Sequence, residues 1–236
     1  TAQTNLGVDF SLLDQTLYGS LDWFHKKTTD ILVEMAGIAA MGEGSTQWIN
    51  AGEMKNVGFE FNLGYRNTTS FGLKYDLSAN ISTYRNEVTA LPATVAANGT
   101  FGGNGVQSVI GHANGSQVGY VADGIFRSQE EIDNHATQEG AGLGRIRWRD
   151  LDNNGVINEK DQQWIYDPTP AFSYGLNIYL EYKNFDLTMF WQGVQGVDVI
   201  SDLKKETDLW SGLNIGFLNK GRRVLDAWTP TNSGSD

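Results

Sequence analysis

The chain has 236 residues, a formal net charge of −11 and no cysteine. The acidic balance argues against a nucleic-acid partner, because phosphate binding needs concentrated lysine and arginine, and the lack of cysteine excludes disulfides and thiolate chemistry within this sequence. Only 40% of the residues are hydrophobic, and no uninterrupted run of about 18 apolar residues predicts a transmembrane helix.

Six segments alternate apolar residues with small polar residues, which predicts β-strands with one apolar and one polar face. In chain order these predicted strands are Asn5–Leu12, Leu17–Trp23, Lys55–Arg66, Phe71–Ser82, Phe172–Lys183 and Phe185–Gln192. In the third strand, for example, Phe61 and Leu63 share one face, whereas Asn62 lies on the other.

Three features favour the wall of a transmembrane β-barrel over a soluble antiparallel sheet. The segments are about 8–12 residues long, near the length that a tilted strand needs to cross a bilayer, whereas strands of soluble domains average about 5–6 residues. Aromatic residues such as Tyr65, Phe71, Tyr182 and Phe185 lie at the segment ends, as at membrane interfaces. The polar faces are rich in Gly, Asn, Ser and Asp, which suits a water-filled lumen. We therefore predict an all-β fold of antiparallel transmembrane β-barrel strands.

The connections between these strands alternate between short and long. The short ones are Leu13–Thr16, Asn67–Ser70 and Lys183–Asn184, and the long ones are Lys27–Met54, Thr83–Ala171 and the stretch from Gly193 onward. Bacterial outer-membrane barrels place short turns in the periplasm and long loops outside. Because lipid does not tolerate unpaired strand edges, we expect these strands to belong to a larger barrel.

Two short helices are predicted within the long connections. The stretch Ser128–Glu139 begins with a capping residue followed by acidic residues, which is typical of a helix N-terminus. The stretch Asn219–Trp228 also reads as a short helix, and the polar segment Thr229–Asp236 after it is typical of a loop.

A motif in the second long connection matches an EF-hand-type calcium loop. Its candidate ligands are the side chains of Asp150, Asp152, Asn154 and Asp161 and the carbonyl of Val156. Oxygen atoms at alternating positions turn towards one centre, and Gly155 allows the sharp turn that this requires. Asp rather than Glu at the last position and Asn at the fifth position depart from the motif. The same sequence is also consistent with an Asx-rich loop that orders itself by hydrogen bonds from side chains to the backbone.

The sequence shows no pattern of catalytic residues. His25, His112 and His135 are far apart, and neither a nucleophile elbow nor a cysteine nucleophile is present. We therefore expect no enzymatic activity. Aromatic residues in the long connections could stack on sugar rings, although several of them are equally consistent with loop anchors. They are Trp48, Phe101, Tyr120, Phe126, Trp148, Trp164 and Trp210.

Several motifs in the same order resemble one known family. They are NAGEMKNVGFEF at Asn50–Phe61, GYVADGIF at Gly119–Phe126 and GRIRWRDLDNNGVINEKD at Gly144–Asp161, followed by the segment Asp167–Gly196. From about Thr4 to its end the chain resembles SusC/RagA-type TonB-dependent outer-membrane transporters. The resemblance implies a plugged barrel of about 22 strands in the outer membrane of a Gram-negative bacterium. It also implies a SusD-like surface lipoprotein as partner, and TonB-driven uptake of oligosaccharides or peptides.

On this interpretation residues 1–236 form part of the barrel domain, in contact with outer-membrane lipid. The loop at 150–161 is then extracellular, while the plug that contacts TonB and the strands that close the barrel lie outside this sequence. The alternative is a secreted or surface β-rich glycan-binding module stabilised by calcium. That module would bury the apolar sides of Phe59–Tyr65 and Phe172–Tyr182 in a sandwich core, whereas a barrel wall exposes them to lipid.

Overall fold

The computed structural model describes residues 1–35, 47–97, 103–104, 107–208 and 219–232. The chain forms two compact units, each made of two stretches of sequence. The first unit comprises Thr1–Gln117 and Tyr166–Asp198, and the second comprises Val118–Ile165 and Val199–Asp236. No helix among these described residues is long and apolar enough to cross a membrane.

Strands dominate the secondary structure. In chain order they are β1 (Ala2–Leu12), β2 (Leu17–Met35), β3 (Gln47–Thr68), β4 (Lys74–Ala90), β5 (Gly103–Asn104), β6 (Gln107–Ser108), β7 (Gln117–Tyr120), β8 (Ala122–Ile125), β9 (Ile146–Trp148), β10 (Gln162–Tyr166), β11 (Phe172–Tyr182) and β12 (Phe185–Gln195). The helices are α1 (Ala93–Ala97), α2 (Gln129–Asp133) and α3 (Asp202–Asp208), and two 3₁₀ turns cover Glu159–Asp161 and Arg222–Asp226.

The first unit is built on a six-stranded sheet with the order β1-β2-β3-β4-β11-β12, in which all neighbouring strands are antiparallel. Its register aligns the two faces of all six strands. One row of paired residues across the sheet is Phe10, Gly19, Leu63, Ala79, Leu176 and Trp191. The adjacent row is Asp9, Ser20, Asn62, Asn80, Gly175 and Gln192. The predicted apolar and polar faces are therefore continuous across the sheet.

The apolar face has no protein layer over it among the described residues. Phe59 is 51% exposed, Leu21 49% and Leu187 49%. A sandwich core, which the glycan-binding module requires, is therefore not formed by the described strands. An exposed apolar face backed by a polar face is the arrangement of a barrel wall between lipid and lumen.

Five strands are longer than predicted: β1 begins at Ala2 and β12 continues to Gln195, and the other three extensions are larger. β2 continues to Met35, β3 begins at Gln47 and β4 continues to Ala90. Much of the predicted loop Lys27–Met54 is therefore a hairpin extension of the sheet, with a register irregularity at Ile31. Apolar and polar residues do not alternate regularly in this extension, because the register shifts at Ile31. A search for a strict period of two in the sequence therefore does not detect it.

The predicted strand Phe71–Ser82 begins too early. Strand β4 starts at Lys74, and the residues before it form a turn in which the Thr69 amide donates to the Leu73 carbonyl at 2.8 Å. Gly72 has a φ of +92°, which glycine adopts without strain. The alternation of Phe71 with Leu73 therefore continues through a turn rather than a strand.

A small apolar core lies in the first unit beyond the sheet. Val33, Val88, Val95 and Val109 are fully buried, and helix α1 packs against β2. Near the end of β4 the segment that follows Val109 lies beside the strand. The Val88 amide donates to the His112 carbonyl and the Val88 carbonyl accepts from the Gly111 amide, both at 2.8 Å. This core keeps the hairpin extension and the end of β4 in place.

Side chains on the polar face cross glycine positions of neighbouring strands. The Tyr18 ring of β2 lies where a Cβ at Gly64 of β3 would overlap it. This allows the Tyr18 hydroxyl to donate to Asp76 of β4 at 2.7 Å, while the Arg66 guanidinium lies 4.2 Å from the ring centre. Gly64 of β3 thus makes room for a hydrogen bond from β2 to β4 that crosses β3.

The second unit contains the pairs β7–β10 and β8–β9 and two short helices. Ser128 caps α2, as predicted, because its Oγ accepts from the Glu131 amide at 3.2 Å, but the helix ends at Asp133 rather than near Glu139. The predicted helix in Asn219–Trp228 is a 3₁₀ turn at Arg222–Asp226. Gly221 precedes this turn and has no side chain that could accept a hydrogen bond from its first amides. An α-helix beginning here would therefore lack an N-terminal cap.

The two faces of β3 are expected to respond differently to a charge. In the parent protein, Leu63→Arg is expected to cost roughly 2–4 kcal/mol of unfolding free energy near the bilayer midplane, and Asn62→Arg little. The measurement is denaturant unfolding of the parent barrel in lipid vesicles. Equal costs at the two adjacent positions would show that the assignment of the faces is wrong.

Gly64→Ala is expected to destabilise the parent barrel by about 1–3 kcal/mol, because the new methyl group displaces the Tyr18 ring. The control is the same substitution in a Tyr18→Ala background, where the ring is absent. Unfolding measurements on all four variants give the coupling energy. The packing of Tyr18 over Gly64 is refuted if Gly64→Ala costs as much without the ring as with it.

Candidate functional site

The candidate calcium loop, Asp150–Asp161, connects β9 to β10 in the second unit. Two residues in it have positive φ angles, Asn153 at 57° and Gly155 at 83°, which suits residues that tolerate the left-handed region. Thr137 holds the middle of the loop, since its amide donates to Gly155 at 2.8 Å and its carbonyl accepts from Ile157 at 2.9 Å. The backbone of the loop is thus fixed by local turns and by one neighbouring segment.

Three of the predicted ligands converge. One carboxylate oxygen each from Asp150, Asp152 and Asp161 lies within 4.8 Å of the other two. Calcium binds oxygen at about 2.3–2.6 Å, so that two oxygens on opposite sides of one ion are roughly 5 Å apart. The spacing of the three carboxylates is therefore compatible with a shared cation.

Asp161 is the buried member of this group and has no solvent-exposed surface. Its carboxylate accepts hydrogen bonds from the amides of Leu151 and Asn158, both at 2.8 Å. Burial acts to raise the pKa of Asp161, but the amides of Asn158 and Leu151, with a further backbone bond from Asp152, hold the pKa below its usual value. The charge of Asp161 therefore persists below the usual range of carboxyl titration and fastens the two ends of the loop together.

The carboxylates of Asp150 and Asp152 are also bonded to the loop backbone. Asp150 accepts from the Gly155 amide at 2.8 Å, and both Asp150 and Asp152 accept from the Asn154 amide at 3.2 Å. These are the bonds of an Asx-rich loop. Because a carboxylate has about four lone-pair sites, such bonds leave acceptor capacity for a cation.

The remaining two predicted ligands have internal partners. The carboxamide oxygen of Asn154 accepts from the Val156 amide at 2.8 Å, and the Val156 carbonyl accepts from the Asn158 side chain at 3.2 Å. Asn158 was not among the predicted site residues. It caps the 3₁₀ turn that carries Asp161, and the two form a reciprocal capping box. The spacing Asn-x-x-Asp was the signal in the sequence.

Two family-like motifs that precede this loop in the chain meet in one small sheet. Strand β8 belongs to GYVADGIF and pairs with β9 of GRIRWRD, with Ala122 opposite Trp148. Arg147 reinforces the pair, since its Nη2 donates to the Asp123 carbonyl at 2.8 Å and its Nη1 lies 3.7 Å from the Glu131 carboxylate. Glu131 of α2 is therefore an ion-pair partner of Arg147.

The aromatic candidates differ in exposure. Phe126 is fully buried, and Tyr120 packs against Trp148 with tilted rings whose centres are 5.7 Å apart, so these residues anchor the second unit. Trp48, on the hairpin extension of β2 and β3, is 63% exposed. Trp164 is half-buried. Phe101 and Trp210 lie outside the described residues.

Comparisons with known proteins agree on one family. The family described as "TonB dependent receptor-like, beta-barrel" matches residues 1–221. TonB-dependent receptor P3 of Formosa agariphila is 33% identical over 99% of this chain, which covers 23% of that relative. TonB-dependent receptor SusC of Bacteroides thetaiotaomicron is 26% identical over 80% of this chain, which covers 18% of it.

A solved structure has the same fold. The structure titled "Structure of the RagAB peptide transporter" superposes with a TM-score of 0.73 at 22% identity, over 99% of this chain and 25% of the other. The chain thus spans about a quarter or less of the length of the relatives that it matches. Members of this family are outer-membrane proteins, and the antiparallel sheet described above corresponds to part of their barrel. The chain belongs to the TonB-dependent receptor family, as part of its β-barrel.

Proposed function

We propose that the parent of this chain imports a polar solute across the outer membrane of a Gram-negative bacterium in a TonB-driven process. The observation that carries the proposal is the pair of continuous faces, one apolar and exposed, the other polar, across all six strands of the sheet. In a barrel these faces meet lipid and a hydrated lumen. The chain supplies wall strands and, with the tight turns in the periplasm, extracellular segments.

The solute that we propose is an oligosaccharide, with a peptide as the alternative. The central polar row contains Asn62, Asn80 and Gln192, whose amide groups donate and accept hydrogen bonds. Such groups suit sugar hydroxyls and peptide backbones alike. Among the similar proteins one has a title that names a peptide transporter, so that the choice between the two solutes needs a transport measurement.

We propose a SusD-like surface lipoprotein as the partner of the parent, in contact with the hairpin extension of β2 and β3. Leu32 and Trp48 are 56% and 63% exposed there, on the same face of the two strands, with Leu32 opposite Asn50 and Trp48 opposite Glu34. The other side of the extension carries Val33, which is fully buried. Exposed aromatic and aliphatic residues on a firmly packed support are typical of the centre of a protein interface.

Calcium is the cation that we propose for the Asp150–Asp161 loop. Support comes from the convergence of three carboxylates and from oxygen chemistry that a hard divalent cation prefers. If the loop is extracellular, calcium near millimolar concentration suffices, because extracellular sites work at about 10⁻⁴–10⁻³ M. The residues of the chain would hold the ion, and the ion would neutralise the clustered negative charge.

Calcium is expected to raise the protection of the Leu151 and Asn158 amides, measured by hydrogen exchange in the parent protein. Asp152→Asn is expected to abolish this response while leaving protection without calcium nearly unchanged, because Asp152 is the exposed member of the group. Glu159→Gln is the matched control, since Glu159 lies outside the group of converging carboxylates. A response to calcium that is unchanged in Asp152→Asn, or absent in the natural protein, leaves the Asx-rich loop as the better interpretation.

The contact with the lipoprotein is tested by copurification from mild detergent. The double substitution Leu32→Ala and Trp48→Ala in the parent is expected to reduce the recovered lipoprotein about tenfold or more, as removal of central interface residues does. Leu21→Ala, on the lipid-facing side of β2, is the control. Full recovery of the lipoprotein with the double variant would place the contact elsewhere, and uptake that survives loss of TonB would overturn the proposed transport.

A further inference from the structure

Basic residues occupy the outward face of the sheet just beyond its apolar region, at the end opposite the tight turns. Trp23 and Phe59 form an aromatic pair across β2 and β3. Two residues further along the strands, the next outward row contains His25, Val57 and Arg85, and the row after it contains Lys27, Lys55 and Glu87. A rise of about 3.4 Å per residue puts Arg85 roughly 7 Å beyond the aromatic row.

The charges of this group are only partly neutralised. Lys27 pairs with Glu53 at 2.8 Å and Lys55 pairs with Glu87 at 2.9 Å. The guanidinium of Arg85 is exposed and forms no ion pair with any residue that the structure describes. An outward positive charge therefore remains in a chain whose net charge is −11.

The arrangement is asymmetric along the membrane normal. At the tight-turn end the outward positions of β3, β4 and β11 hold Tyr65, Tyr75 and Tyr182, and no outward strand position there is basic among the described residues. Lys183 lies in the turn itself. Snorkelling of long basic side chains at both membrane surfaces would not concentrate the basic residues at one end. The asymmetry points to a ligand that is present on one side only.

Arg85 also borders a pocket of about 660 Å³ at the edge of β4. Pairing of β4 with β11 ends at Ser82. The segment just before β11 contains Pro168 and Pro170, which have no backbone amide hydrogen to donate. Polar lining groups are Thr83, Asn86, His112 and Thr169, and the lining carboxylates are Glu87 and Asp167. Glu87 is paired with Lys55, and Asp167 accepts from the Thr169 amide at 2.8 Å. The pocket is large enough for a sugar of a lipid headgroup beside the guanidinium.

We propose that Arg85, with Lys27 and Lys55 beside it, binds a phosphate of the glycolipid in the outer leaflet. Arginine binds phosphate through two parallel charge-assisted hydrogen bonds, while the apolar rows below it contact the acyl chains. β2, β3 and β4 have neighbours on both sides in the sheet, so that further wall strands would join at β1 and β12 and leave the outward face open. The inference rests on the proposed orientation, with the tight turns in the periplasm.

The test uses the full-length parent protein, stripped of lipid and incubated with lipid A that carries two, one or no phosphate groups. Native mass spectrometry measures the retained lipid. Retention of phosphorylated lipid A is expected at concentrations about tenfold lower than for the dephosphorylated form, and Arg85→Gln is expected to remove that preference. Arg85→Lys should restore part of it, because the charge returns without the planar guanidinium. Lys183→Gln, in the tight turn at the other end, is the matched control.

Several outcomes would overturn the inference. They are equal retention of phosphorylated and dephosphorylated lipid A, an Arg85→Gln variant that behaves like the natural protein, or full competition by millimolar inorganic phosphate, which would indicate a site for the free anion. Labelling of an Asn184→Cys variant on intact cells separates this failure from that of the proposed orientation. Labelling from outside would contradict the orientation itself, whereas protection of the thiol combined with no lipid preference would refute the lipid site alone.

Discussion

The structure of the first unit depends on the register of its strands. Pairing runs without a slip from Leu17 opposite Tyr65 in β2 and β3 to Val57 opposite Arg85 in β3 and β4. A shift by one residue in any antiparallel pair would move a whole strand to the other face. It would then expose Glu60 or Asp76 to hydrocarbon and turn Phe61 into the lumen. Because a basic residue near the bilayer midplane costs roughly 2–4 kcal/mol and an acidic residue costs less, the hydrophobic pattern and the hydrogen-bonded register enforce each other. The polar contacts, the pocket and the basic outward row all take their positions from this register.

Glycine has a specific use on the polar face of the sheet. Gly64 and Gly58 leave space into which the rings of Tyr18 and Phe24 extend from β2. The Tyr18 hydroxyl thereby reaches Asp76 two strands away. Glycine thus allows the large side chains of neighbouring strands to lie flat against the polar face of the sheet. These side chains therefore extend less far into the space next to that face.

The sequence was sufficient to predict the faces of the six strands, because a period of two is a direct consequence of strand geometry. It was also sufficient for the tight turns at Leu13–Thr16 and Lys183–Asn184 and for the carboxylates that converge, since their spacing is local. The hairpin extension to Met35 escaped prediction because its register irregularity at Ile31 breaks the period. Phe71 was assigned to a strand because alternation does not distinguish an extended residue from one beside a glycine turn. The pairing of Arg147 with Asp123 depends on tertiary proximity and left no local signal, whereas the capping role of Asn158 is visible in its spacing to Asp161.

The pairing of β4 with β11 has a consequence for the order in which the wall assembles. The pairs β1–β2, β3–β4 and β11–β12 each join strands that follow one another in sequence. Their turns have two to five residues, and such hairpins close in microseconds. β4 and β11 are instead separated by residues 91–171. Closing so long a loop costs more chain entropy, and non-local pairing of this kind slows folding. The edge of β4 therefore waits for its partner longer than any other edge within this sheet, and this junction is where a chaperone that shields unpaired strands would act longest.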